Sequence, residues 1–144
     1  VPRMRQRGQG HLAFISSLAA RSPHADLLSY SATKSAIEAY ATGLRRSLSG
    51  SGVCVSVVLP GFIDTPMTDR HNGPTPFKVT AADAARRIKA GLDAKQRVIA
   101  FPRRLAWLIA LRGALLPTSV SDYIESWLRA EILPDEDQRD VKKR

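Results

Sequence analysis

Two short apolar runs separated by one long helical stretch constrain this fold more than any other feature of the sequence. The runs are His11 to Ser16 (HLAFIS) and Val53 to Leu59 (VCVSVVL), and both have the composition of buried parallel strands, whose two faces are covered. Between them, from about Ser29 to Leu48, apolar residues recur at helical spacing until Gly50-Ser51-Gly52 ends the helix. Strand, helix and strand form one βαβ crossover, so the sequence predicts an α/β fold with a parallel sheet.

The segments that follow add one more helix and one more strand to this pattern. Asp64 to Val79 is rich in Pro, Gly, Thr and Asn, which predicts a mobile loop with one short helical turn. Thr80 and Asp83 form a capping box at the start of a helix that runs to about Ala94. Arg97 to Phe101 then has the composition of a third short strand.

The chain beyond Pro102 has a different character. Leu105 to Leu116 is apolar nearly all round, and Ser119 with Asp122 predicts the start of a last helix. We therefore expect residues 1–102 to form an α/β domain and residues 103–144 to form a helical extension and charged tail of that domain. Three large aromatic residues at the end of the third strand and beyond it are expected to make core or oligomer contacts. They are Phe101, Trp107 and Trp127.

The composition and charge of the chain argue against several classes of protein. The net charge is +9, but the basic residues are dispersed in small groups without interleaved aromatic residues, so nucleic-acid binding is not expected. The three histidines are scattered and the chain has one cysteine, so neither a metal cluster nor a disulfide framework is predicted. No apolar run reaches the roughly 18 residues that a membrane span needs. A cytoplasmic protein is therefore expected.

Polar residues gather where the predicted strands end. Ser17 closes the first strand thirteen residues before Tyr30, and Lys34 follows Tyr30 at a spacing that puts both on one helix face. Taken alone, such a pair also fits a solvated helix face with a half-buried tyrosine. Pro60-Gly61 ends the next strand, and the carboxyl ends of parallel strands share one rim, where open α/β sheets bind ligands. These residues therefore predict a site at this rim.

The order FISS, thirteen residues, YSATK and a strand ending in PGFIDT resembles the short-chain dehydrogenase/reductase family over about Gly8 to Thr68. The resemblance implies the C-terminal half of a Rossmann-like, doubly wound parallel sheet. It also implies that Ser17, Tyr30 and Lys34 are catalytic. The cofactor, NAD or NADP, would contact Tyr30 and Lys34 together with the turn after the second strand, through Pro60, Gly61, Ile63 and Thr65.

The chemistry of these side chains suits the roles that the resemblance implies. Hydride transfer to a carbonyl leaves negative charge on oxygen, which needs a proton donor, and a tyrosine hydroxyl is too weak an acid for easy exchange at neutral pH. The Lys34 ammonium one turn away favours the phenolate of Tyr30. Ser17 would then hold the substrate oxygen by a hydrogen bond. The substrate would be a small alcohol or ketone, and the apolar Phe62 and Met67 favour a lipophilic one.

Two departures from the family pattern leave alternatives open. The sequence has no glycine-rich phosphate loop, so it does not show whether NAD or NADP is preferred. The second hypothesis is therefore a truncated, non-catalytic remnant that acts as an interaction or membrane-peripheral module. The extension after Phe101 is expected to pack on the domain, with contact to a membrane surface as the less favoured alternative. The small residues along helix 29–48 predict a homo-oligomer that pairs through this helix.

Overall fold

A parallel sheet of three strands with helices on its faces organises the chain, as a computed structural model shows. The structure describes residues 1–23, 25–69, 71–117, 119–120, 123 and 131–132. The strands are β1 (Gly10–Ile15), β2 (Val53–Pro60), β3 (Ile63–Asp64), β4 (His71–Asn72), β5 (Val79–Thr80), β6 (Val98–Phe101) and β7 (Glu131–Ile132). The α-helices are α1 (Pro2–Gln6), α2 (Leu28–Ser47), α3 (Pro66–Asp69), α4 (Ala81–Asp93) and α5 (Arg103–Leu115), with 3₁₀ turns at Leu18–Ala20 and Ala25–Leu27.

The main sheet has the strand order β1-β2-β6, and both of its ladders are parallel. Gly10 pairs with Val53 at one end of the first ladder, and Pro60 pairs with Phe101 at the end of the second. All three strands therefore end at one rim, as the sequence predicts, and the expected α/β class with a parallel sheet is confirmed. Two short pairs, β3 with β5 and β4 with β7, lie outside this sheet.

The two faces of the sheet are covered by different helices. Val57 and Leu59 of β2 belong to the same core cluster as Ala41 of α2, and α5 packs on this face as well. Side chains alternate along a strand, so Val58 points to the opposite face, where it packs with Ala84 of α4. The connections β1-α2-β2 and β2-α4-β6 advance across the sheet in one direction but over opposite faces. They therefore have opposite hands, and one of them departs from the usual right-handed rule.

Among the residues that the structure describes, only one face of strand β1 is covered, so the expectation that both of its faces are buried is not met in this part of the chain. Phe14 packs into the core that α2 covers, whereas Ala13 is exposed and Ile15 on the same side is 50% exposed. The reason is the position of α4, whose contacts are with β2 and β6 at the other end of the sheet. Because β1 is also an edge strand, it presents an apolar strip beside a row of backbone groups.

The loop that follows β2 leads the chain onto the face that α4 covers. Ile63 of β3 and Val79 of β5 pair in parallel, and both pack against the α4 cluster. Thr80 then caps α4, because its side-chain oxygen accepts a hydrogen bond of 3.1 Å from the backbone N–H of Asp83. The Asp83 carboxylate in turn binds Arg87 and Arg86, which together lower the pKa of Asp83. The Thr80 half of the capping box predicted at this point is confirmed, and so is the start of the helix.

Helix α5 begins directly after Pro102, and only one side of it packs on the domain. Its residues Leu105, Ala106 and Ile109 pack against the core, whereas Trp107 lies on the outside, so Trp107 is not a core residue. Phe101 is buried, as expected. Trp127 and most of the predicted last helix lie outside the described residues, as do residues 133–144 of the tail. In the part of the chain that the structure describes, no helix is long and apolar enough to cross a membrane.

Candidate active site

The end of β1 is fixed to α2 and to the end of β2 by two adjacent serines. Ser16 is buried, and its hydroxyl donates a hydrogen bond of 2.7 Å to the backbone carbonyl of Lys34. Ser17 donates a longer bond of 3.4 Å to the Pro60 carbonyl and accepts one of 3.2 Å from the N–H of Ala19. Ser16 is thus a structural hydroxyl. The Ser17 hydroxyl lies at the rim where β1 and β2 both end.

Tyr30 and Lys34 lie on one face of the first two turns of α2. The Lys34 ammonium nitrogen is 5.5 Å from the centroid of the Tyr30 ring, close enough for a cation–π interaction. Both residues are partly buried, so solvent screens this charge less than it would on a free helix surface. The geometry thus places the Lys34 ammonium beside the phenol ring of Tyr30.

A second contact of Lys34 ties it to the edge strand. Its ammonium donates a hydrogen bond of 3.2 Å to the backbone carbonyl of Ile15. The N–H of Ser16 binds Val58 of β2, and alternate residues of a strand direct their backbone groups to opposite sides. The Ile15 carbonyl therefore points to the free edge of β1, and Lys34 reaches around this edge. An ammonium has three N–H donors, which leaves capacity for a further acceptor at the rim.

The turn after β2 brings the predicted cofactor residues to the same rim. Pro60 is buried at the strand end, and the N–H of Gly61 donates a hydrogen bond of 2.7 Å to the Phe101 carbonyl. A β-carbon at Gly61 would lie 3.0 Å from Pro102 and 3.1 Å from Leu105, so the turn and the start of α5 pack closely only because this residue is glycine. Phe62 and Ile63, the next two residues, are partly buried.

Thr65 lies in a small hydroxyl network at the start of the loop. Its hydroxyl is 3.3 Å from that of Thr68 and 3.4 Å from the Ile63 carbonyl, which also accepts a hydrogen bond of 2.5 Å from Thr68. Thr68 was not singled out by sequence reasoning, because a threonine in a polar loop gives no signal of its partners. Met67, a predicted substrate contact, is exposed on α3.

Lys78 closes the loop that begins at Thr65. Its ammonium lies 2.6 Å from the carboxylate of Asp64 and 3.4 Å from that of Asp69. The hydrogen bond that Lys78 donates to Asp64 is the main cause that raises the pKa of Lys78 above its ordinary value, and Asp69 adds to it. Sequence reasoning missed this cluster, because opposite charges spaced irregularly along a loop form no periodic pattern. The cluster joins the two ends of the segment that contains α3.

The structure thus brings the predicted site residues together in pairs. Lys34 lies beside Tyr30, Ser17 lies at Pro60, and the bond from Ser16 to Lys34 joins the two groups. A phenol, an ammonium and hydroxyl groups at one rim fit the polar ribose and carboxamide groups of a nicotinamide nucleotide. Among the residues described here, no group of three or more potential ligands could hold a metal ion.

Comparison with known proteins shows the family. The family model described as short chain dehydrogenase matches residues 1–75, which include the ends of β1 and β2 and the whole of α2. The chain therefore belongs to the short-chain dehydrogenase family.

Individual relatives agree with this assignment. An uncharacterized oxidoreductase of Myxococcus xanthus is 35% identical over 106 residues, which are 74% of this chain and 42% of that protein. A short chain dehydrogenase from Burkholderia cenocepacia, solved in complex with NADP, superposes with a TM-score of 0.71 at 26% identity and covers 88% of this chain and 51% of that one. The bulky-bulky ketone specific alcohol dehydrogenase from Comamonas testosteroni gives a TM-score of 0.61 at 25% identity, over 79% of this chain and 45% of that one.

The chain spans about half the length of these proteins. The shared part is the half that contains the YSATK segment and the PGFIDT turn.

Proposed function

We propose that this chain supplies the catalytic half of a nicotinamide-dependent oxidoreductase that interconverts an alcohol and a ketone. The observation that carries this proposal is the placement of the Lys34 ammonium over the Tyr30 ring, at the rim where Ser17 meets Pro60. A structural helix face would not need a tyrosine, a lysine and a serine to converge on one strand end. Membership of the short-chain dehydrogenase family supports the same reading.

In this mechanism Tyr30 transfers the proton. During ketone reduction its hydroxyl protonates the oxygen on which negative charge develops, and in the reverse direction the phenolate accepts the proton. Lys34 stabilises the phenolate through its charge, and Ser17 donates a hydrogen bond to the same substrate oxygen. The nicotinamide nucleotide supplies or accepts the hydride when it is bound.

The residues that would hold the nucleotide are those at the rim. We assign Tyr30 and Lys34 to its ribose and the turn of Pro60, Gly61, Ile63 and Thr65 to its nicotinamide end. The NADP in the Burkholderia relative supports a nicotinamide cofactor, and the choice between NAD and NADP stays open. Lys34 suits the ribose role because its ammonium has donors beyond the one that binds Ile15.

The substrate is proposed to be lipophilic. Phe62, next to Gly61 in the turn after β2, and Met67 on α3 are the apolar side chains on which this proposal rests. The Comamonas relative, which is specific for bulky-bulky ketones, is consistent with a large apolar substrate.

A non-catalytic remnant is the second candidate; among the described residues, no strand pairs with the outer edge of β1. The exposed strip of Ala13 and Ile15 would suit pairing with another chain. The two candidates are separated by assaying the protein in its complete reading frame against a panel of ketones with NADH and NADPH. Cofactor oxidation that depends on the ketone supports the oxidoreductase. A protein that binds neither nucleotide and oxidises neither would support the remnant.

A further inference from the structure

Helix α5 exposes an apolar stripe on the side that faces away from the core. Leu105, Ala106 and Ile109 pack inward. The stripe runs along the opposite side, at positions three and four apart, and its exposed fractions are 68% for Trp107, 56% for Leu108, 51% for Leu111 and 69% for Leu115. Large apolar side chains at this density on one outer face indicate a surface that is covered by something.

The charged residues in the part of the sequence that contains this stripe are of one sign. No acidic residue stands between Asp93 and Asp122, whereas this stretch contains Lys95, Arg97, Arg103, Arg104 and Arg112. Arg112 donates a hydrogen bond of 2.6 Å to Ser22 and so helps to hold the helix on the domain. Arg103 and Arg104 are exposed in the first turn of α5. Cations at a helix N-terminus are disfavoured by the helix dipole, so their presence there points to an anionic partner.

Strand addition to the sheet would leave the stripe uncovered. A strand that pairs with the free edge of β1 lies on the far side of β2 from β6, the strand that α5 contacts. Each strand adds about 4.8 Å, so the new strand would be separated from β6 by two intervening strands.

A second copy of the chain is also a poor partner for this surface. If two stripes packed together, Arg103 and Arg104 of both copies would approach an apolar interface. Helix α5 has no acidic residue to pair with them.

We propose that α5 lies on the surface of an anionic phospholipid bilayer. The stripe from Trp107 to Leu115 enters the boundary between headgroups and acyl chains, and Arg103 and Arg104 bind the headgroup phosphates. A tryptophan suits this boundary because its ring is apolar and its N–H is polar. The helix has 13 residues and lies along the surface, since it is too short to cross. This interaction goes beyond the proposed oxidoreductase function, and its test does not depend on activity.

The first test is flotation of the protein, in its complete reading frame, with vesicles. Vesicles of phosphatidylcholine alone are compared with vesicles that also contain phosphatidylglycerol. Binding should be about tenfold or more stronger with phosphatidylglycerol and should weaken at high salt, because two arginines near an anionic surface contribute that much. The double variant Arg103→Gln with Arg104→Gln should lose the preference. Equal binding to both vesicles, or binding to neither, would overturn the proposal.

A matched pair of leucines tests whether the stripe makes the contact. Leu115→Gln should lower vesicle binding about tenfold, as the loss of one buried leucine predicts. Leu28, at the start of α2, is 70% exposed against 69% for Leu115, so Leu28→Gln is the control and should leave binding unchanged. Equal losses in both variants would contradict a role of α5. Circular dichroism of each variant separates loss of fold from loss of binding.

The fluorescence of Trp107 reports its position directly. The difference between the spectra of the wild type and of Trp107→Phe isolates this residue, and it should shift to the blue with anionic vesicles and be quenched by brominated lipids. If Trp107 is already shifted without lipid, and Leu111→Gln converts a dimer into a monomer by light scattering, the stripe belongs to a second copy and the proposal fails.

Discussion

The Lys34 ammonium donates a hydrogen bond to the Ile15 carbonyl, so the end of the edge strand and the start of α2 are joined by a charged side chain. The same ammonium lies beside the Tyr30 ring. Because one group serves both contacts, the position of the charge beside the phenol depends on the strand end. The hydrogen bond of Lys34 to the end of β1 and its proposed catalytic role beside Tyr30 therefore depend on each other.

Lys34→Ala should lower both turnover and cofactor affinity in the complete protein, each by about tenfold or more. This is the loss expected from a hydrogen bond to a charged group, about 1.5–3 kcal/mol. Initial rates and calorimetric titration with NADPH and NADH measure the two effects separately. Lys89→Ala is the control, since Lys89 pairs with Asp93 on the surface of α4. A Lys34→Ala protein with reduced turnover but normal cofactor affinity would contradict the assignment of Lys34 to the ribose.

Tyr30→Phe should reduce turnover by on the order of a hundredfold or more while cofactor binding persists, because phenylalanine keeps the ring and removes only the hydroxyl group that donates the proton. Tyr40→Phe is a close control. Tyr40 lies on the same helix, is exposed and has an edge contact with the Phe14 ring, which phenylalanine would keep. A Tyr30→Phe protein with a rate near that of the wild type would exclude Tyr30 as the acid.

The sequence predicted the elements of this fold well, because their signals are local. The β-branched run of Val53 to Leu59 and the capping box at Thr80 both depend on neighbouring residues, and the structure has them within one or two positions. Which face of the sheet each helix covers is not set by neighbouring residues in the sequence. Residues Val57 and Val58 are both buried valines, and nothing in the run tells which of them meets α2 and which meets α4.

The site was predictable to a similar extent. Ser17, Tyr30 and Lys34 follow from a spacing that the family shares. The bond from Lys34 to Ile15 and the cluster around Lys78 depend on three-dimensional proximity without a fixed spacing. The exposure of Ile15 could not be predicted either. An apolar residue in a strand is expected to be buried, and the sequence does not show whether a helix covers its face of the sheet.

Lys78→Met should loosen the loop between Thr65 and Lys78. The ion pairs raise the pKa of Lys78, so the stabilisation is fully present at neutral pH and is lost as the pH rises through this raised value. Amide hydrogen exchange of residues 66–69 and 71–78 should therefore be faster in the variant at neutral pH. The exposed fractions limit the effect to a few-fold. Unchanged exchange in this segment, with Lys89→Met as the reference, would show that the cluster does not hold the loop.

The outer face of α2 should form a contact between two copies of the chain. Ala32, Ala36, Ala39 and Gly43 are exposed small residues, which allow another helix to approach closely. Ala36→Glu should therefore weaken a dimer by at least about tenfold, because it places a charge at the contact. Light scattering over a dilution series measures this. Ala85→Glu, at an exposed position of α4, is the control. A wild type that stays monomeric with its fold intact would refute the predicted contact.

The 144-residue chain by itself should show neither dehydrogenase turnover nor appreciable affinity for NADH or NADPH. The pyrophosphate of a dinucleotide is held by the N–H groups of a glycine-rich loop at a helix N-terminus, and this sequence contains no such loop. The free edge of β1 and the exposed Ile15 should also make the isolated chain aggregate or dimerise. Calorimetric titration with both nucleotides, beside a light-scattering profile, checks the two statements together. Micromolar binding by a monodisperse monomer would show that Tyr30, Lys34 and the turn after β2 hold the nucleotide without a phosphate loop.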